Sequence, residues 1–105
     1  MTWLTWATLL LGTGLTVSGE PAAPRRHVVE IRGMAFHPAV IEVARGDTVV
    51  WINRDIVPHT ATAKSAWDTG VLPQGARGLV VPRRPGELRY LCTLHPTMQG
   101  RLVTR

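Results

Sequence analysis

From His27 onward the chain is a series of short β-rich runs, bounded by glycine, proline or aspartate. The runs are Val28 to Arg32, Val40 to Ala44, Thr48 to Asn53, Leu79 to Val81, Leu88 to Cys92 and Arg101 to Thr104. Regularly spaced short strands with turn signals between them are typical of an antiparallel sandwich or barrel. The pattern therefore predicts an all-β fold, although the stretch from Thr60 to Gly75 gives no clear prediction.

The length and composition fit a single small domain. The chain has 105 residues, of which 45% are hydrophobic and 18% are charged, so a modest packed core is expected and a large multi-domain enzyme is excluded. Cys92 is the only cysteine, which excludes an intramolecular disulfide and a zinc site with two or more thiolates. The formal net charge is +5, but the sequence has no nucleic-acid-binding motif, so we expect no nucleic-acid partner.

The N-terminal segment resembles an export signal. The first 18 residues carry no charged side chain, and the apolar stretch from Trp3 to Val17 spans 15 positions. A membrane-spanning helix needs about 20 such residues, whereas a shorter stretch suits a signal peptide. We expect residues 1–19 to be a signal peptide, 20–26 a flexible leader and 27–105 the folded domain, with no membrane span after cleavage. The alternative is that the segment stays attached as an anchor.

A second feature is a set of soft metal donors. Cys92, His95 and Met98 recur every three residues on one short segment, and a second imidazole, His59, lies 33 positions before the cysteine. Two imidazoles, a thiolate and a weak thioether form the donor set of electron-transfer copper. Zinc is the nearest competitor, but a thioether is a poor zinc ligand. The joint occurrence of the four residues therefore favours a copper site.

Each of these residues also has a purely structural interpretation. Cys92 ends a predicted strand on the same face as Leu88 and Tyr90, so it is expected to point inward, where a lone cysteine can be just a small hydrophobic residue. A methionine on an apolar loop is often a core residue, and a single histidine is often only hydrogen-bonded. His27 and His37 are not spaced to join the set, and we expect neither to be a ligand.

The sequence resembles the cupredoxins, the type 1 blue copper proteins. The matching residues are Gly46 to Asp55, Pro58-His59 and Tyr90 to Gly100, and the resemblance extends over about residues 28 to 104. The two-residue spacings in Cys-x-x-His-x-x-Met are most similar to the amicyanins, more than to their pseudoazurin and plastocyanin relatives. The resemblance implies a single Greek-key β-sandwich or barrel with copper at one end.

The resemblance also implies which residues form the site. Four residues would bind one type 1 copper ion: His59, Cys92, His95 and Met98. The side chain of Asn53 would tie the region of the first ligand to Thr93, and the backbone N–H of Thr60 would point at the cysteine sulfur. Thr60 stands where the amicyanins commonly have asparagine, but any residue except proline supplies that N–H.

The implied function is a bacterial, exported, periplasmic electron carrier that cycles between Cu(I) and Cu(II). The resemblance implies a monomer that is not an enzyme. It implies redox proteins as partners, such as an acidic c-type cytochrome or a dehydrogenase. We expect the partner to dock where His95 lies near the surface, with Arg54 and Arg101 as rim charges.

Two alternatives belong to other functional classes. One is a copper-binding module for storage, delivery or sensing, which could have the same ligands without a rapid redox partner. The other is an enzyme that uses Cys92 as a nucleophile with His95 or His59 as its base, in which Met98 has no role.

Overall fold

The computed structural model describes residues 2–8, 11–14 and 23–105. The predicted cleavage position and residues 20–22 of the predicted leader lie outside the described residues. Strand β1 begins at Arg26, one residue before the predicted start of the domain. Among the described residues, no helix is both long and apolar enough to cross a membrane.

Nine short strands form two sheets in the described part of the chain. They are β1 (Arg26–Arg32), β2 (Ala35–His37), β3 (Val40–Val43), β4 (Thr48–Asn53), β5 (Thr62–Ala63), β6 (Trp67–Asp68), β7 (Arg77–Val80), β8 (Gly86–Leu91) and β9 (Gln99–Thr104). One sheet has the order β2-β1-β4-β7, and the other has the order β3-β9-β8-β5-β6. The prediction of an all-β sandwich is confirmed.

The strand pairing differs from the predicted antiparallel arrangement in two places. β1 runs parallel to β4, and β3 runs parallel to β9. The chain passes to the second sheet after β2, so β3 pairs there with β9, and β4 returns to the first sheet in the same direction as β1. The alternating pattern did not predict β2, β5 and β6, because strands of two or three residues are too short to show it; only the family resemblance fitted Gly33 to Pro38 to an early strand and turn.

An aromatic cluster fills the space between the sheets. The Trp51 ring stacks on Trp67 with 5.7 Å between centroids, and its edge-to-face contact with Tyr90 has a centroid distance of 5.4 Å. Such pairs add stability beyond the area they bury. β4 lies between two neighbours in its sheet and is buried from Val49 to Asn53. A rigid strand therefore leads to the end of the sandwich where Asn53 lies.

The predicted inward face of β8 is correct at one end of the strand and wrong at the other. Tyr90 is 2% exposed, and Cys92, just beyond the strand, is fully buried. Leu88 is 44% exposed, because it borders a surface depression lined by Val81 and Pro82 and does not face the core.

A buried carboxylate, Asp47, stabilises the end of the sandwich at which β4 begins, opposite to the end at which Asn53 lies. Asp47 accepts hydrogen bonds from the backbone N–H groups of Arg25 and Ala44, at 2.9 and 3.0 Å. Its Oδ2 also lies 2.8 Å from Nε2 of His27. These hydrogen bonds, led by that from Arg25, lower the pKa of Asp47 to about 2 from its ordinary value of 3.8. Asp47 thereby joins the start of β1 to the turn before β4.

We expect this carboxylate to make stability depend on acid. Because the pKa of Asp47 is lower in the folded state, its contribution is complete above about pH 4 and is lost as the pH falls toward 2. Urea unfolding should therefore show a falling midpoint over this range. Asp47→Asn should be less stable than the wild type at pH 6 and should lose less stability between pH 4 and pH 2. An equal acid-induced loss in both proteins would contradict this assignment, and Asp68→Asn, an exposed aspartate, is the control.

Candidate metal centre

The first half of the site is the loop between β8 and β9. Successive hydrogen bonds coil it: His95 N–H donates to the Cys92 carbonyl at 3.2 Å, and Met98 N–H donates to the His95 carbonyl at 2.9 Å. Cys92 N–H closes the loop by donating to the Met98 carbonyl at 3.1 Å. The paired residues Leu91 and Gln99 fasten its base. Three donor residues are therefore held on one short, closed loop.

The second half of the site is the segment after β4. His59 forms an isolated antiparallel bridge with Leu72, with backbone hydrogen bonds of 3.1 and 2.7 Å in the two directions. The His59 side chain is fully buried. This bridge fixes the backbone of the first imidazole even though the residue lies outside the named strands.

The fold brings three predicted ligands together. The donor atoms of His59, Cys92 and His95 all lie within 4.8 Å of one another. Cys92 Sγ is 3.7 Å from Nδ1 of each histidine, and the centroids of the two imidazole rings are 5.0 Å apart. Met98 is 4% exposed and belongs to the same buried cluster as Cys92. Three predicted ligands that are far apart or on different loops in the sequence thus meet at one end of the sandwich, and Met98 lies on the same loop as Cys92 and His95.

The sulfur has one polar backbone neighbour. Thr60 N–H points at Cys92 Sγ from 3.3 Å, as expected from the sequence. The fully buried sulfur therefore faces a backbone N–H and two imidazole nitrogens, which are more polar surroundings than a side chain that only fills the core would have.

The predicted contact between the Asn53 side chain and Thr93 was wrong. Its side-chain amide donates to the carbonyls of Val57 and Leu72, at 2.9 and 2.8 Å, and so ties together the two segments that flank His59. The link to Thr93 is made by Thr60, whose Oγ1 accepts the Thr93 N–H at 2.9 Å and lies 3.1 Å from Thr93 Oγ1. The reason is geometric. Asn53 is the last residue of β4 and reaches only the segments around His59, whereas Thr60 lies directly beside the loop that contains Cys92.

Asp55 also contacts the site, although the sequence did not indicate it as a site residue. Its Oδ2 lies 2.8 Å from Nε2 of His59, on the side of the ring away from the sulfur. Burial by itself would raise the pKa of Asp55, but hydrogen bonds from Met34 N–H, His59 and Gly33 N–H outweigh it and hold that pKa below its ordinary value. The residue is therefore a carboxylate at neutral pH. Its position four residues before His59 was the available signal.

The site is shielded from solvent except at His95. His59 and Cys92 are fully buried, whereas His95 is partly exposed. Exposed apolar residues on the same loops include Val57 and Leu94, at 42% and 48% exposure. Among the four predicted ligands, His95 is therefore the most exposed, as expected.

The two expected rim charges are both paired. Arg54 Nε lies 3.7 Å from Glu30 Oε2, and Arg101 Nε lies 3.0 Å from Glu87 Oε1, in exposed pairs. Each carboxylate offsets its arginine, so these two residues contribute less to electrostatic steering than the sequence suggested.

The other two histidines have separate contacts. His27 is bound to Asp47 at the opposite end of the sandwich, and His37 Nε2 lies 3.1 Å from the Arg32 carbonyl. Both histidines lie outside the cluster of donor atoms found among the described residues.

The donor atoms fit a bound metal ion. Typical metal distances of about 2.0 Å to imidazole and 2.3 Å to thiolate place N and S roughly 3.5 to 3.8 Å apart for angles between tetrahedral and trigonal. Both Sγ–Nδ1 distances are 3.7 Å. A cysteine with two histidines, and a methionine on the same loop as the cysteine, is a donor set that suits copper. The arrangement is consistent with one type 1 copper ion per chain.

Curated proteins with similar sequences include two amicyanins. An amicyanin from Paracoccus denitrificans is 34% identical over 86 residues, which cover 72% of this chain and 63% of that protein. The chain thus spans less than two thirds of that relative's length. Amicyanin-alpha from Methylorubrum extorquens is 28% identical over 103 residues, covering 92% of this chain and 87% of the relative.

Solved structures agree with this family relationship. The Cu(I) form of an amicyanin variant has a TM-score of 0.74 at 28% identity, covering 79% of this chain and 85% of that one. A copper-containing nitrite reductase from Thermus scotoductus SA-01 has a TM-score of 0.73 at 27% identity, covering 87% of this chain but 25% of that one. The family model for the cupredoxin-like domain matches residues 2–104. The chain therefore belongs to the cupredoxin-like family.

Proposed function

We propose that this protein is an electron carrier with a single type 1 copper ion. The observation that carries the proposal is the convergence of His59, Cys92 and His95, whose donor atoms lie within 4.8 Å of one another, with only His95 partly exposed. A carrier needs a redox centre that is sheltered from solvent but has one ligand near the surface, and it needs no substrate pocket.

We infer that four residues hold the metal: His59, Cys92, His95 and Met98. The two histidines and the cysteine form the close set, and Met98, on the same loop, would supply a weak thioether donor. A copper ion bound there supplies a reversible Cu(I)/Cu(II) couple. The residues of the chain provide the rest. Thr60 N–H points at Cys92 Sγ, and Thr60 Oγ1 accepts the Thr93 N–H and so joins the two loops, while Asn53 ties together the segments that flank His59.

The backbone hydrogen bonds that hold the predicted ligands in place favour electron transfer as the function, and not the storage or delivery of copper. The loop containing Cys92 is closed by its own backbone hydrogen bonds, and the bridge to Leu72 holds His59 in place. A ligand frame that is fixed in this way changes little between oxidation states and gives a metal few routes of release. The solved amicyanin structures similar to this chain include a Cu(I) form and an oxidised form.

The proposed setting is the bacterial periplasm. Residues 1–19 act as an export signal, residues 20–25 form the short leader, and the domain, which begins with β1 at Arg26, works as a monomer. The donor and acceptor are other redox proteins, an acidic c-type cytochrome or a dehydrogenase among them, and the protein itself catalyses no reaction on a substrate. The docking surface is the area around His95, where exposed Leu94 and Val57 can be desolvated quickly.

The experiment compares electron transfer with copper release. The Cu(I) protein is mixed in a stopped-flow instrument with an oxidised acidic c-type cytochrome, and separately with a Cu(I) chelator. We expect the cytochrome to be reduced much faster than copper passes to the chelator. Faster copper transfer than electron transfer would instead support storage or delivery.

A matched pair of variants tests the docking surface. Pro96 follows the exposed ligand, and Pro85 precedes β8 at the opposite end of the sandwich; both are exposed. Pro96→Glu should slow reduction of the cytochrome while leaving the copper spectrum intact, and Pro85→Glu should leave the rate unchanged. If both variants transfer electrons at the wild-type rate, docking occurs elsewhere.

A further inference from the structure

The contact between Asp55 and His59 determines which nitrogen of the buried imidazole carries a hydrogen. Asp55 Oδ2 and His59 Nε2 are 2.8 Å apart, and a carboxylate can only accept a hydrogen bond. The hydrogen must therefore be on Nε2. A neutral imidazole with its one ring hydrogen on Nε2 has a free lone pair on Nδ1, and Nδ1 is the atom that faces Cys92 Sγ at 3.7 Å.

The carboxylate is itself held from several sides. Asp55 Oδ1 accepts the Gly33 N–H at 2.7 Å, and Oδ2 accepts the Met34 N–H at 3.0 Å. The Asp55 N–H donates to Asn53 Oδ1 at 2.9 Å. With its side chain 16% exposed, Asp55 cannot swing into solvent without losing these hydrogen bonds.

The turn that donates to Asp55 needs this support. Gly33 and Met34 join the antiparallel strands β1 and β2 with φ values of 57° and 60°. Positive φ at both central residues is the geometry of a type I′ hairpin turn, and it is strained for methionine, which has a Cβ. The two hydrogen bonds from this turn to Asp55 therefore stabilise the turn and fix the carboxylate together.

We propose that Asp55 is a positioning residue for the metal centre: it holds His59 with the hydrogen on Nε2, leaving Nδ1 free to bind, and its negative charge favours the higher oxidation state of a copper ion there. The proposal rests on the copper function proposed above. Carboxylates behind metal-binding histidines act in this way generally, because they fix the tautomer and raise the basicity of the ring.

The structure offers a matched control at the opposite end of the sandwich. Asp47 also lies 2.8 Å from a histidine Nε2, that of His27, and also accepts two backbone N–H hydrogen bonds. The length of β4 separates the two pairs, roughly 17 Å for its five residue steps. Because Coulomb energy falls with distance, a charge this far away acts far more weakly on the centre than Asp55, which contacts His59 directly. Asp47→Asn therefore removes an equal charge with far less effect on the centre.

The first test uses the metal-free full chain and does not depend on copper. Nitrogen-15 NMR at neutral pH should show His59 as a single tautomer with hydrogen on Nε2. In Asp55→Leu, which has no acceptor, the ring should become a mixture of tautomers. A wild-type ring with hydrogen on Nδ1, or a mixture of the two forms, would overturn the proposal even if the variant does not fold.

The second test uses the copper-loaded proteins. Asp55→Asn should bind Cu(II) about tenfold more weakly or worse, with a smaller loss for Cu(I), so its reduction potential should rise. Asp47→Asn should leave both affinities and the potential at their wild-type values. If the potential does not change in Asp55→Asn, or changes equally in Asp47→Asn, the charge of Asp55 does not act on the centre. A wild-type protein that binds no copper would instead refute the proposed function, while the NMR result would still decide the tautomer.

Discussion

Cys92→Ser is expected to abolish the intense visible absorption of the Cu(II)-loaded protein. In the wild type this absorption should come from charge transfer between the Cys92 thiolate and the metal, since the thiolate lies 3.7 Å from both imidazole nitrogens and is fully buried. A serine oxygen is a harder donor and gives no comparable band. The measurement is the visible spectrum after loading with one equivalent of Cu(II). A colourless wild type, or an equally blue variant, would refute the assignment of this site.

Two further variants make the result specific. His37→Ala should keep the full absorption, because His37 is bound to the Arg32 carbonyl and lies outside the cluster of donor atoms. Met98→Gln should remain coloured with a lower reduction potential, because an amide oxygen is harder than a thioether and favours Cu(II). An unchanged potential in a folded, coloured Met98→Gln would remove this residue from the ligands.

Gly100→Ala is expected to reduce the free energy of unfolding by about 3 kcal/mol, because the added methyl overpacks the core. Gly100 is paired directly with Tyr90 across β8 and β9, and the Tyr90 ring lies over it. A Cβ at Gly100 would come within 2.7 Å of Tyr90 Cε1 and closer still to Cζ, so the ring would have to move. Chemical denaturation measures the loss. Gln99→Ala, an exposed neighbour on the same strand, should show little change.

A second measurement separates this mechanism from a general loss of stability. Burial raises the pKa of Tyr90 to about 12 from the ordinary 10.0, and Tyr90 is the only tyrosine in the chain. If Gly100→Ala displaces the ring toward solvent, ultraviolet titration of the phenol should show a pKa closer to 10.0. A destabilised variant whose phenol still titrates near pH 12 would mean that the ring had stayed in place.

The sequence alone was sufficient to predict the all-β class and most strand positions. β4 was predicted at its exact bounds from Thr48 to Asn53, because a continuous apolar run after a Gly-Asp turn has few other interpretations. The short spacing of Cys92, His95 and Met98 also predicted that these residues lie near one another, since they are on one seven-residue loop between paired strands. These features depend on local pattern, which a sequence displays directly.

The tertiary structure decided the contacts made across the two loops. Nothing in the sequence distinguishes Asn53 from Thr60 as the partner of Thr93, because the choice depends on which side chain lies beside the cysteine loop once the sheets have packed. The parallel pairing of β1 with β4 likewise follows from the chain crossing between sheets, which leaves no local pattern. Asp55 is the clearest case: its carboxylate binds a turn more than twenty positions earlier and a buried imidazole four positions later. Hydrogen bonds of that kind depend on distances between atoms that only folding brings together.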